Sequence, residues 1–122
     1  MIHTHTISFK NAFRGLITAL KTQPNFRIHL LLALISLSAC FYLQVANFEF
    51  LIIVFLIVIG LTIETLNTAI EATTDAIDTK WRTDIGLAKD IAAGAMLMFS
   101  LGAASIALYI FIPKIVLLVS GQ

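Results

Sequence analysis

Residues 30–43, LLLALISLSACFYL, carry no charge, and a few residues later the chain enters a second apolar stretch at residues 48–63, FEFLIIVFLIVIGLTI. A third runs from about Leu87 to Ile112 and is expected to end at Pro113-Lys114. A bilayer's hydrocarbon core of ~30 Å needs about 20 helical residues to cross it, a length that each stretch reaches once the helix-forming residues flanking it are counted. The 122 residues are 59% hydrophobic and 12% charged, which puts the chain in the membrane class rather than among soluble domains. The reading is an all-α membrane protein in which residues 1–122 form one domain with three transmembrane helices, over 26–45, 48–77 and 87–112.

Before the first span, Phe9, Phe13, Leu16, Ile17 and Leu20 recur at helical spacing between Lys10, Arg14 and Lys21. Residues 8–22 therefore read as an amphipathic surface helix at the membrane interface, stopped by Pro24 and Asn25. No continuous apolar core with a small-residue cleavage site precedes these charges, so no signal peptide is read. Cys40 is alone in the chain and lies in an apolar run, where a small buried thiol is the expected state. Of the eight Lys and Arg residues, seven lie before the first span or between the second and third, and only Lys114 lies at the opposite end. The positive-inside rule then puts the N-terminal helix and the loop 78–86, DTKWRTDIG, in the cytoplasm. A net charge of +1 argues against a nucleic-acid partner. Small residues cluster in the third span, at Ala92–Ala95 and Gly102–Ser105, and read as points of close helix approach.

Polar side chains enter the second span only at its cytoplasmic end. At about 100° per residue, Glu64, Asn67, Glu71 and Asp75 project at roughly 0°, −60°, −20° and +20°, with Thr68 at about +40°. They form one narrow strip, while Leu66 and Ile70 occupy the far side. Glu64 lies about 26 Å of helical rise beyond Asn47, close to the cytoplasmic boundary of the hydrocarbon. Acids at that depth are expensive and ordinarily face a protein interior or a watery cavity. Three of them on one strip repel unless a cation or a proton intervenes. Mg2+ favours carboxylate oxygens and bridges to phosphates, and a carboxylate at the interface can act as general base towards a headgroup hydroxyl. The residues themselves thus describe a metal-assisted site at headgroup level. Lys89-Asp90, after Gly86 and near the expected start of the third helix, would supply a positive end for phosphates. His29, just inside the first span, reads as an interfacial histidine in preference to a proton-handling group. His3 and His5 carry no role.

The stretch IETLNTAIEATTDAI at residues 63–77, followed by GLAKDIAAGAML at 86–97, resembles the prokaryotic diacylglycerol kinase and undecaprenol kinase family. SFKNAFRG, NFRIHLLLAL and the late FIPK extend the likeness over nearly the whole chain. The resemblance implies a homotrimeric inner-membrane lipid kinase that uses ATP with Mg2+ to phosphorylate undecaprenol or diacylglycerol, with sites shared between subunits. It implies Glu64 as general base and Glu71 as metal ligand, with Gln23 where relatives carry a second metal-binding glutamate. Asn67, Glu64 and Lys89 would meet the lipid headgroup, and Glu71, Asp75, Gly86, Lys89 and Asp90 the nucleotide. Trp81-Arg82 stands in place of the family's usual Tyr-His, and Trp81 reads as an interface anchor. Two other classes compete: a small cation transporter using the acidic strip, and a non-catalytic membrane assembly protein. A transporter expects polar groups on through the outer half of the span, where LIIVFLIVIG has none.

Overall fold

The structure, a computed structural model, describes residues 2–78, 80 and 82–121, with side chains from residue 8 onward. Four helices follow in order: α1 (Ile2–Thr22), α2 (Pro24–Tyr42), α3 (Asn47–Ile77) and α4 (Thr83–Ser120). The last three are long and apolar enough to cross a membrane. No strand occurs among the described residues.

The expected break at Pro24 is a junction one residue wide. Proline is well suited to the first turn of a helix because its missing N–H would have no partner there, so α2 starts at Pro24 itself with Gln23 as its N-cap. Arg27, in that first turn, reaches back and donates from Nε to the Leu20 carbonyl at 2.9 Å and from Nη2 to the Lys21 carbonyl. A guanidinium thus binds the free carbonyls at the negative end of α1. Phe9, Phe13 and Leu16 of α1 are exposed in the chain, as a helix lying on a lipid surface requires.

The α2–α3 turn is built from backbone bonds. Val45 N–H donates to the Cys40 carbonyl at 3.2 Å and Gln44 N–H to Phe41 at 3.4 Å, the pair that closes a Schellman motif. Gln44 takes the left-handed position, with φ of 47°. Glu49 then reaches back to accept the Ala46 N–H at 2.8 Å, capping α3. Buried Cys40, Ile53 and Ile110 form the core at this end, with Val45 packed on them.

α3 packs against α2 on one side and α4 on the other, both antiparallel. Lys89–Asp75 at one end and Lys114–Glu49 at the other fix the α3–α4 register. The Lys114–Glu49 pair (2.8 Å) links the end of α4 to the α2–α3 turn. α4 does not stop at Pro113. It continues to Ser120, although proline removes the hydrogen bond to the carbonyl four residues back. Membrane helices tolerate such a gap where neighbouring groups compensate it. A Cβ added at Gly94 or Gly102 would meet nothing within 4 Å, whereas at Gly60 it would lie 2.7 Å from the Phe99 ring of α4. Hydroxyls inside the spans bond their own helix, as Thr62 does to Val58 and Ser105 to Leu101, both at 2.8 Å.

Candidate active site at the end of the second span

The strip on α3 is one face, as its spacing predicts, and its members are treated differently by the fold. Glu64 is 3% exposed and Asn67 6%, both turned into the helix bundle, while Asp75 is exposed beyond them. Glu71 is half-buried between these extremes. Asn67 Nδ2 donates to Glu71 Oε1 at 3.2 Å, which leaves the other Glu71 oxygen without a hydrogen bond among the described residues. Asn67 Oδ1 is buried with no hydrogen-bond partner among the described residues. A buried amide oxygen left unpaired is costly, and native proteins accept it mainly where a bound group completes the bonding. Thr74, also buried, donates to the Ile70 and Glu71 carbonyls at 3.0 and 2.8 Å.

Two groups from other helices reach the strip. From α4, Lys89 pairs with Asp75 Oδ1 at 2.5 Å. From α2, His29 Nε2 comes within 3.8 Å of Glu64 Oε2. His29 is therefore more than an interfacial residue: its imidazole faces the buried acid. Its place was readable by counting from the tight turn. His29 lies about 21 Å of rise before Leu43 and Glu64 about 26 Å after Asn47, so an antiparallel hairpin brings them to similar depth.

The remaining candidates are spread more widely. Gln23 sits at the α1–α2 junction and makes no side-chain hydrogen bond among the described residues. Gly86 is buried, its N–H bonded to the Arg82 carbonyl at 2.9 Å. Asp90 is exposed. α4 begins at Thr83, so Lys89 lies in its second turn rather than at its N-terminus; the lysine brings charge to the site, but the helix end does not. Arg82 makes a two-point contact with Asp84, Nε–Oδ1 at 3.1 Å and Nη2–Oδ2 at 2.7 Å. Trp81 lies outside the described residues. Among the described residues no three His, Cys, Asp or Glu side chains converge as a ready-made metal cage.

Beneath the polar strip lies an apolar groove of about 240 Å³ between α2, α3 and α4. His29 and Leu61 line one end of it and Ile53 and Ala107 the other, with Gly60 and Phe99 between. The site therefore combines a sealed acid, an oriented carboxylate with an oxygen unbonded among the described residues, a lysine and an apolar groove between the three long helices. That set suits chemistry on the polar end of a lipid.

Residues 10–111 match the prokaryotic diacylglycerol kinase family. An undecaprenol kinase of Bacillus subtilis is 39% identical over 108 residues, 88% of either chain. A diacylglycerol kinase of Haemophilus influenzae is 33% identical over 88 residues, 71% of this chain and 75% of the relative. One from Synechocystis is 28% identical over 110 residues, covering 89% of this chain and 63% of its own.

Proposed function

The chain belongs to the prokaryotic diacylglycerol kinase family and is a membrane lipid kinase that uses ATP, and we propose that it transfers the ATP γ-phosphate directly to the hydroxyl of a polyprenol such as undecaprenol. The observation that carries the chemistry is Glu64: a carboxylate 3% exposed, 3.8 Å from His29 at the end of the apolar groove, and by helical rise about 26 Å beyond Asn47, close to headgroup level. A lipid alcohol lying in that groove presents its hydroxyl to Glu64. Glu64 takes the hydroxyl proton as the oxygen attacks the γ-phosphorus, and the bond to ADP breaks. Asn67, with its unpaired Oδ1, lies one turn away and is suited to receive a donor from the bound headgroup.

Phosphoryl transfer asks a protein chiefly to position groups and neutralise charge. Lys89 is the cation that pairs with the strip, and a polyanion arriving there competes with Asp75 for it. Mg2+ suits Glu71, whose carboxylate is oriented by Asn67 and keeps one oxygen free, because this ion commonly binds through one or two carboxylates plus substrate phosphates. When bound, Mg2+ would neutralise charge developing on the transferred phosphoryl group. Gln23 offers a neutral oxygen where a second carboxylate would bind more strongly. The cation asymmetry, seven of eight towards the site, supports a cytoplasmic N-terminus and active site. A single three-span chain encloses too little surface for ATP, metal and headgroup together, which supports a homotrimer with shared sites.

The acceptor is tested by presenting undecaprenol and diacylglycerol separately, in mixed micelles, with radiolabelled ATP. Faster labelling of undecaprenol is expected. Preference for diacylglycerol would overturn the acceptor assignment, and labelling of neither would overturn the kinase reading.

A further inference from the structure

A base that takes a proton in each turnover has to lose it again, and Glu64 is placed where that is difficult. At 3% exposure it has almost no contact with solvent. Along its own helix Thr65 bonds the Leu61 carbonyl, Asn67 and Thr68 carry an amide and a hydroxyl that take up no proton, and Glu71 is engaged by Asn67. The remaining neighbour is on another helix. His29 Nε2 lies 3.8 Å from Glu64 Oε2, and the His29 side chain is 24% exposed. It is the more exposed of the two and lines the end of the apolar groove.

We infer that His29 acts through Glu64 as its proton relay, a role beyond the kinase reading above and resting on it. The acceptor O–H bond breaks as its oxygen forms the bond to phosphorus, and the electron pair of the broken P–O bond leaves on ADP. The proton goes to Glu64 Oε2, passes to Nε2 of a neutral His29, and leaves the imidazolium for water at the membrane surface. The 3.8 Å separation is longer than a hydrogen bond, so transfer runs through one water or a small side-chain rotation, both ordinary for proton transfer. A neutral His29 is needed at the start of each cycle. The charged groups around it are few. α3 contributes Glu64 and, beyond it, Glu71. The α4 side of the groove, with Phe99, Ser100 and Ala103, has none, and Lys89 is held by Asp75. On α2, Arg27 is turned to the carbonyls ending α1, where Lys21 lies.

The test uses the full-length chain in detergent micelles with the lipid acceptor. Both His29→Ala and His29→Gln should lower kcat roughly ten- to a hundredfold, less than the ~10²–10⁴-fold of a lost general base because Glu64 itself remains, with KM for ATP unchanged within about twofold. Added imidazole should restore kcat in His29→Ala, and should leave Glu64→Gln inactive. His29→Gln fills the position and can bond Glu64 but takes no proton; its acid-side loss of kcat should follow one proton fewer than in the wild type. If His29→Ala fails to fold, His29→Gln carries the test. Wild-type kcat in His29→Gln, or a slowed His29→Ala that ignores imidazole, would overturn the relay while leaving the kinase reading in place. A wild-type protein that phosphorylates neither lipid alcohol would overturn both.

Discussion

Gly60 is the point at which a single methyl group tests the packing under the site. An added Cβ would lie 2.7 Å from Phe99 Cε1 and 3.2 Å from Cζ, and 3.4 Å is where ordinary contact begins, so the ring or the helices must give about 0.7 Å. Phe99 lines the groove, so the ring can turn into that open space. For Gly60→Ala this relief, with a helix-propensity gain of up to ~1 kcal/mol, should leave thermal stability near wild type. The ring would then occupy the channel, and KM for the lipid acceptor should rise several-fold while KM for ATP stays put. Gly60→Leu has no such escape. Overpacking of a close interface costs about 1–3 kcal/mol, so its thermal midpoint should fall by several degrees. Phe99→Leu removes the obstructing ring and should return part of the stability lost in Gly60→Leu. The double-mutant cycle, read by thermal unfolding in detergent and by kinetics with varied acceptor, measures that coupling. A Gly60→Leu protein with wild-type midpoint, no coupling to Phe99 and unchanged acceptor KM would refute the assignment of this contact and groove.

Two further changes address the ends of α3. Lys89→Met should raise KM for ATP roughly tenfold or more, the size of a lost charge-assisted contact to phosphate, with a smaller effect on KM for the lipid; steady-state kinetics with each substrate varied would decide it. Glu49→Gln should lower the thermal midpoint in detergent more than the double change Glu49→Gln with Lys114→Met, because the single change leaves the Lys114 ammonium without its acid.

The carboxylate strip could be read in advance because a helix converts spacing into direction with no knowledge of its neighbours. Glu64, Asn67 and Glu71 needed only the 3.6-residue period to be placed together, and Asn67–Glu71 is the bond that period allows. What one helix does to another was less legible. Glu49 and Lys114 are 65 residues apart, and nothing in FEF or FIPK marks them as partners. Only the antiparallel register of two helices held by a five-residue connection brings them together. Their pairing also changes the meaning of Lys114, which counts as a lone cation in the sequence and is locally neutralised in the fold. The end of α4 is hidden from the sequence for a related reason: proline ends most helices in water, whereas this helix continues through Pro113 to Ser120. Gly94 and Gly102 of α4 mark potential close contacts, yet a Cβ added there would meet nothing, whereas at Gly60 of α3 it would meet the facing Phe99, which the sequence alone does not reveal.

The account rests on Glu64 as the group that takes the acceptor's proton. Glu64→Gln keeps the shape of the side chain and removes its basicity, so the direct measurement is single-turnover transfer of radiolabelled phosphate to undecaprenol, alongside ATP binding and thermal stability. Transfer should fall by about 10²–10⁴-fold while ATP binding and stability stay near wild type. Wild-type transfer by a folded Glu64→Gln protein would contradict the account.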